Sequence, residues 1–371
     1  MRVLINGLQA GNRSGTGVYT TQLSAKLVTL ADKGAVDVVW PDGLPLPENS
    51  TGRETAFLSS ARMSTARRIW FDQVGIQGQA RKGGYDLIHY PANIGALLSR
   101  VPSVLTVHDL TFLRDPSWYN PERAAYYRIA TRRSVKTARR IIAVSQATAN
   151  DLMAMLEVPA ERIDVVHNGV DPRFRPASEA VQSAARAKYV LAEPYVLYVG
   201  TIEPRKNLPR LIDAWSSAAG SGGPLLAIAG RLGWKTDAVQ QAVARSPHGN
   251  RVRFLGHVPP EDLPALMSAA EVFAYPSLYE GFGIPVAEAM ACGTPVLTSN
   301  TSSLPEVAGD AAILVDPEDT IAIAAGLEKL LSSESLRSDL RDRGLRRAIR
   351  LSWDLAARKT LETYRRAIED K

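Results

Sequence analysis

The chain cannot build a disulfide framework: it holds one cysteine, Cys292, in 371 residues. Nothing in its composition therefore points to secretion, and a lone thiol of this kind reads as a small buried hydrophobe at a helix end. No run approaches the ~18 apolar residues that a transmembrane helix needs. The opening Met1-Arg2-Val3-Leu4-Ile5-Asn6-Gly7 is too short an apolar run for a signal peptide and reads as a first β-strand, so a cytoplasmic chain is expected. There is no Gly-x-Ser-x-Gly nucleophile elbow and no Asp-x-Asp pair. The histidines His89, His108, His167, His248 and His257 have no metal-ligand spacing. Internal repeats and low-complexity tracts are missing too.

What is present is an ordinary globular composition, 45% apolar and 22% charged, with length for two or three domains. The net charge of +6 is uneven. Residues 1 to 170 carry 20 Lys and Arg against 14 Asp and Glu, whereas the remainder is balanced at 24 and 24. Basic residues cluster at Arg62, Arg67, Arg68, Arg81 and Lys82, and again at Arg132, Arg133, Lys136, Arg139 and Arg140. Such a half could face anionic lipid at the inner membrane surface, a polyprenyl-phosphate acceptor or an acidic glycan, or could simply be a solvated helix face. Aromatic residues are not interleaved with these charges, which argues against nucleic acid.

Short continuous apolar runs alternate with helical periods along the whole chain. In the first half they are residues 2 to 6, Val36 to Trp40, 86 to 91, 104 to 109, 141 to 145 and 163 to 170. In the second they are 195 to 200, 225 to 230, 252 to 256, Val272 to Tyr275, 295 to 298 and 312 to 315. That pattern argues two parallel sheets, each covered on both faces. The expected division is a first α/β domain over 1–172, a Pro-bearing linker over 173–194, a second α/β domain over 195–351 and a last helix over 352–371.

The most informative stretch is Ser277-Leu-Tyr-Glu280-Gly281-Phe282-Gly283-Ile-Pro285-Val-Ala-Glu288-Ala-Met-Ala-Cys292-Gly293. A strand, Val272 to Tyr275, enters a glycine turn, and a helix follows with Pro285 in its first turn and Gly293 past its end. Free amides, the helix dipole and close backbone approach make this a recipe for holding phosphate. Glu280 and Glu288 flank the turn. Carboxylates repel phosphate but accept hydrogen bonds from sugar hydroxyls, so the combination reads as a nucleotide-sugar site. As a glycosidase acid and nucleophile the two would bracket a phosphate cradle, where a general acid has no evident job. Upstream, Gly200-Thr201-Ile-Glu-Pro-Arg205-Lys206-Asn207 places two cations at a strand–helix junction. The dipole disfavours cations there unless they hold an anion.

This spacing, Glu-x7-Glu filled by Gly-Phe-Gly-Ile-Pro and followed by Ala-Cys-Gly-Thr-Pro-Val, resembles the family-4 retaining glycosyltransferases of the GT-B fold. The resemblance implies two Rossmann-like doubly wound domains facing across a cleft, with the C-terminal helix crossing back to the first domain. It implies transfer of a hexose from a nucleoside diphosphate sugar to a glycan or lipid-linked acceptor, without metal and with no cofactor beyond the donor. Arg205, Lys206 and the Gly281–Gly283 turn would stabilise the diphosphate leaving group. Glu288 would hold the ribose and Glu280 the transferred sugar. His108, in the His-Asp109 pair at a strand end, would hold a sugar hydroxyl. Gly15 and Gly17, in the Gly7 to Gly17 loop, would lie near the donor phosphates. Many members carry arginine where this chain has Thr201. With Arg205-Lys206 after Glu-Pro, the chain looks like a subgroup rich in bacterial mannosyl- and rhamnosyltransferases, for which GDP-mannose is the expected donor. A nucleotide-sugar epimerase of the same fold and a catalytically silent binding scaffold are the alternatives.

Overall fold

The computed structural model describes residues 1–12, 15–47, 52, 56–59 and 70–370. Arg62, Arg67 and Arg68, with the rest of 60–69 and with 48–51 and 53–55, lie outside the described residues. The chain forms two compact units, Met1–Gly169 together with Ser352–Lys371, and Val170–Leu351.

The first unit is built on a parallel sheet of β1 (Val3–Asn6), β2 (Val36–Trp40), β3 (Phe57–Ser59), β4 (Leu87–Tyr90), β5 (Ser103–Val107), β6 (Arg140–Ala143) and β7 (Ile163–Val165). Their order is β3-β2-β1-β4-β5-β6-β7. β1, β4, β5 and β6 are buried at every position. This is what a parallel sheet covered by helices on both faces requires, and why the strands read as unbroken apolar runs rather than alternating ones. After β6, Ser145 caps the Gln146–Leu156 helix, its hydroxyl accepting from the Thr148 amide at 3.0 Å, as its position before the periodic run suggests.

The C-terminal helix Trp353–Glu369 belongs to this unit and packs on the Gly15–Leu30 helix and on β4, β5 and β6. It is pinned by buried polar contacts. The Tyr364 hydroxyl lies 2.7 Å from His89 Nδ1, His89 Nε2 lies 2.8 Å from Thr106 Oγ1, and Thr106 Oγ1 lies 2.9 Å from the Tyr19 hydroxyl. All four side chains are almost fully buried. Arg140 joins Asp164 at 2.8 Å and Asp370 at 2.7 Å. Arg139 donates to the Ala367 carbonyl at 3.2 Å. These two arginines, grouped in sequence with Arg132, Arg133 and Lys136 as one basic cluster, are therefore engaged by other parts of the unit, Arg140 buried and Arg139 half-buried.

The second unit is a parallel sheet of β8 (Tyr195–Val199), β9 (Leu225–Ala229), β10 (Val252–Gly256), β11 (Val272–Tyr275), β12 (Val296–Ser299) and β13 (Ala312–Val315), in the order β10-β9-β8-β11-β12-β13. Both units thus share the doubly wound order, which reverses direction between the first and fourth strands. In such sheets ligands bind beyond the strand C-termini at that reversal. In the second unit the reversal lies between β8 and β11, the two strands that lead into the sequence's cation pair and glycine turn.

One boundary differs from the sequence reading. Pro172, Pro176 and Pro194 suggested a linker over 173–194, but the segment belongs to the second unit and carries a helix, Glu179–Lys188. The prolines sit outside that helix and leave its interior free to form. It packs on the Leu263–Ala269 helix, and Lys188 pairs with Asp262 at 2.6 Å.

The buried His89 makes a prediction. Burial, helped by nearby His108, pushes its pKa from 6.5 down to about 3. The folded chain keeps it neutral where the unfolded chain takes up a proton. Stability should therefore fall as pH drops from about 6.5 towards 3, by at most ~1.4 kcal/mol per pH unit from this group. Chemical denaturation across that range should show a flatter slope in His89→Gln than in the wild type.

Candidate functional site

β8 ends at Val199, and Pro204–Lys206 form a single 3-10 turn before the Leu208–Ala219 helix. Asn207 turns the chain in a left-handed conformation, φ 61°, which asparagine tolerates better than most residues. Its side-chain Nδ2 donates to the carbonyls of Pro276 at 3.0 Å and Pro317 at 2.6 Å. The Leu278 amide donates to the Arg205 carbonyl at 2.8 Å. The loops that follow β8 and β11 are thus joined backbone to backbone.

Between them lies a buried charge cluster. Glu280 is only 5% exposed. Its Oε2 lies 2.7 Å from Arg205 Nη1 and its Oε1 2.6 Å from Lys206 Nζ. Arg205 also pairs through Nε with Glu203 at 2.7 Å and donates to the Tyr279 carbonyl at 3.1 Å. Lys206 Nζ also reaches the Tyr275 hydroxyl at 2.7 Å. The Tyr275 ring stacks on Tyr198 at 5.6 Å. Burial alone would raise the Glu280 pKa, but the Arg205 and Lys206 charges outweigh it and hold the group at about 2. Lys206 is pushed down from its ordinary value, by burial first and then by Arg205, against the pull of Glu280 and Glu203. Two cations and two carboxylates therefore sit together. Glu203 was quoted in the sequence motif but given no role there, because a glutamate two residues before an arginine carries no recognisable signal.

The glycine turn follows immediately. Gly283, at φ 94°, precedes the Ile284–Ala291 helix, and a Cβ on it would meet Leu304 Cδ2 at 2.7 Å. The backbone angle strains any other residue, and a Cβ would also require Leu304 to shift. Phe282 is buried, so what this turn offers a ligand is backbone. Behind it, the Glu280 amide donates to Ser302 Oγ at 3.1 Å and Ser303 Oγ donates to the Glu280 carbonyl at 2.9 Å. At the start of the helix Pro285 has no N–H and the Val286 amide donates to the Gly283 carbonyl at 3.0 Å, which leaves the Ile284 amide as the one without an acceptor inside the helix. The expected phosphate cradle thus sits beside the Arg205–Lys206–Glu280 cluster.

Glu288 lies on the same helix, 9% exposed. Burial, then the nearby Asp171, push its pKa up to about 8, with Arg173 opposing. The group expected as a carboxylate is thus a neutral acid at neutral pH in the unliganded chain.

The first-unit candidates are placed as follows. His108 follows β5. Its amide donates to Asn93 Oδ1 at 2.8 Å, its Nε2 lies 3.0 Å from the Pro91 carbonyl, and its ring meets Tyr19 edge-on at 4.8 Å. A carbonyl only accepts, so Nε2 carries the proton and Nδ1 is left as an acceptor. Burial lowers the His108 pKa, against the Pro91 bond and Asp109, which keeps the ring neutral. Asp109 accepts from Thr111 Oγ1 at 2.7 Å. Gly15 and Gly17 open the Gly15–Leu30 helix. A Cβ on Gly17 would lie 1.7 Å from the Asn12 carbonyl oxygen, so that glycine is required by the chain itself. Among the described residues no three His, Cys, Asp or Glu side chains come close enough to hold a metal ion.

Comparison with known proteins shows the family of the chain. Residues 182–347 match the family described as Glycosyl transferases group 1, and residues 13–174 match Glycosyltransferase Family 4. The chain is 38% identical to the O-antigen chain mannosyltransferase B of Escherichia coli, over 95% of this chain and 96% of that one. It is 29% identical to the MMP alpha-(1->4)-mannosyltransferase of Mycolicibacterium hassiacum, over 93% of this chain and 81% of that one. Among solved structures, Anabaena Alr3699/HepE in complex with UDP and glucose superposes with a TM-score of 0.76 at 20% identity, covering 99% of this chain and 100% of that one. WaaG, a glycosyltransferase involved in lipopolysaccharide biosynthesis, does so with a TM-score of 0.69 at 17% identity, covering 97% and 98%.

The buried cluster predicts an asymmetric response to mutation. Glu280→Ala strands the buried Lys206 ammonium and should lower the unfolding free energy by about 3–5 kcal/mol. Removing the stranded charge as well, in Glu280→Ala/Lys206→Met, should recover part of that loss. Urea denaturation of the three chains checks both statements.

Proposed function

The chain belongs to the family 4 glycosyltransferases, with their GT-B fold, and from that premise we propose that it moves mannose from GDP-mannose, with retention at the anomeric carbon and without a metal ion. The acceptor is a glycan or lipid-linked glycan of a cell-surface polysaccharide or glycolipid. The observation that carries the reading is Glu280 holding Arg205 and Lys206 beside the N-terminus of the Ile284–Ala291 helix, at the strand reversal of the second unit. The mannosyltransferase relatives support the sugar.

The chemistry follows from the groups available. Lys206 has three N–H donors, and Glu280 and Tyr275 take two of them, so the third can meet a phosphate oxygen. Together with the Arg205 charge and the turn and helix amides of Gly281 to Gly283, it stabilises the diphosphate as the glycosidic bond breaks. Fixed charges in a water-poor site act most strongly on such developing charge. Arg205, Lys206 and Tyr275 use three acceptor positions of Glu280, which leaves one for a hydroxyl of the transferred sugar. Glu288 holds the ribose hydroxyls.

Arg205→Ala should lower kcat by about 10²–10³ while GDP still binds, as for loss of one donor to a transition-state charge. Unchanged transfer would remove Arg205 from the mechanism. Donor identity is tested by thermal unfolding with GDP, UDP, dTDP and ADP. GDP at ~100 times its Kd should stabilise by roughly 2.7 kcal/mol, and stabilisation by UDP alone would overturn the donor assignment. Glu288 predicts the pH dependence. Ribose hydroxyls donating to a carboxylate favour its charged form, so GDP binding should tighten as pH rises towards about 8, by at most ~tenfold per unit. Calorimetry should find this dependence flattened in Glu288→Gln.

A further inference from the structure

Lys206 carries its charge on a flexible four-carbon stem, and such an ammonium can swing about a single acceptor. Here it meets two. Nζ lies 2.6 Å from Glu280 Oε1 and 2.7 Å from the Tyr275 hydroxyl. Glu280 belongs to the loop after β11 and Tyr275 to β11 itself. Two acceptors in different directions fix the nitrogen, and the direction of the third N–H then follows. The Tyr275 hydroxyl is itself firmly held. Phe273 and Tyr275 stand two apart on one strand and share a face. Their rings stack at 5.8 Å, and the Tyr198 ring from β8 stacks on Tyr275 at 5.6 Å. Thr298 Oγ1 on β12 donates to the Tyr275 carbonyl at 2.9 Å. Burial, then the Glu280 charge, raise the Tyr275 pKa well above its ordinary value, so the phenol keeps its proton and donates it to Glu280. Accepting from Lys206 and donating to Glu280, the hydroxyl closes a ring of three groups. Packing alone gives no reason for it. Phe273 fills the same layer without a hydroxyl, and burying one costs free energy unless it is bonded.

We infer that Tyr275 is a positioning residue, whose hydroxyl aims the third N–H of Lys206 at the diphosphate. At 1% exposure it offers a ligand no surface of its own, so it acts through Lys206. This rests on the reading of Lys206 as a phosphate contact. Tyr198 has a different task, its hydroxyl donating to the Thr201 carbonyl at 3.4 Å.

The test is steady-state release of GDP from GDP-mannose, with water as the acceptor, by the full chain and its variants at a temperature where all are folded. Tyr275→Phe keeps the ring and its stack. It should lower kcat about tenfold, as for a displaced catalytic contact, with KM little changed, because the contact it aims matters most in the transition state. Lys206→Met should lower kcat by about 10²–10³. Adding Tyr275→Phe to Lys206→Met should cost nothing more, since the residue acts through that ammonium. Tyr198→Phe, which removes a hydroxyl from the same stack, should leave kcat unchanged. If Lys206→Met is slow but Tyr275→Phe matches the wild type, the inference falls and the reading of Lys206 stands. A tenfold loss in the Lys206→Met background as well, or a raised KM at unchanged kcat, also overturns it. If Lys206→Met matches the wild type, the phosphate reading of Lys206 fails, and this inference with it.

Discussion

Everything in the second unit's site depends on one buried carboxylate. Glu280 takes Arg205 on one oxygen and Lys206 on the other, and those cations come from the loop after the neighbouring strand. Desolvating such charges is expensive, and their mutual attraction offsets it only when the geometry is good and the other polar atoms are satisfied. Here they are: Glu203 and the Tyr279 carbonyl complete Arg205, and Tyr275 completes the second contact of Lys206. The result is a charge array fixed before any ligand arrives. That is what electrostatic stabilisation of a leaving group needs, because nothing must then reorganise as the bond breaks.

The balance of charge has a consequence for binding. Two glutamates neutralise two cations, so the empty site is not a strong attractor of anions in general. A ligand must bring a diphosphate and hydroxyls together to gain from both sets of groups. Glu288 fits the same logic. Burial and the nearby Asp171 raise its pKa to about 8, and on the proposed reading hydroxyl donors favour its charged form. On the proposed reading, these two arrangements favour a nucleotide sugar over free phosphate.

Much of this was legible in the sequence. The parallel sheets came from unbroken apolar runs. The glycine turn and the helix start after it came from Gly281, Gly283 and Pro285, whose chemistry is local. What stayed hidden was pairing across distance. Spacing along the chain showed Glu280 and Glu288 as a matched pair, yet the fold gives them opposite states, one held at about 2 and the other raised to about 8. That difference rests on Arg205 and Lys206, some 75 positions away, which periodicity does not report. Arg139 and Arg140 looked like surface charge because a run of cations carries no mark of burial. The Glu179–Lys188 helix was hidden by flanking prolines that read as a linker.

The central claim is that the Glu280-bound cations form the diphosphate subsite. A crystal structure of the chain with GDP addresses it most directly. The account predicts phosphate oxygens within hydrogen-bond distance of Lys206 Nζ and of the backbone amides around Gly283, with the Glu280 contacts intact. GDP phosphates bound elsewhere, with the cluster undisturbed, would contradict it and leave Glu280, Arg205 and Lys206 as a structural staple between two strands.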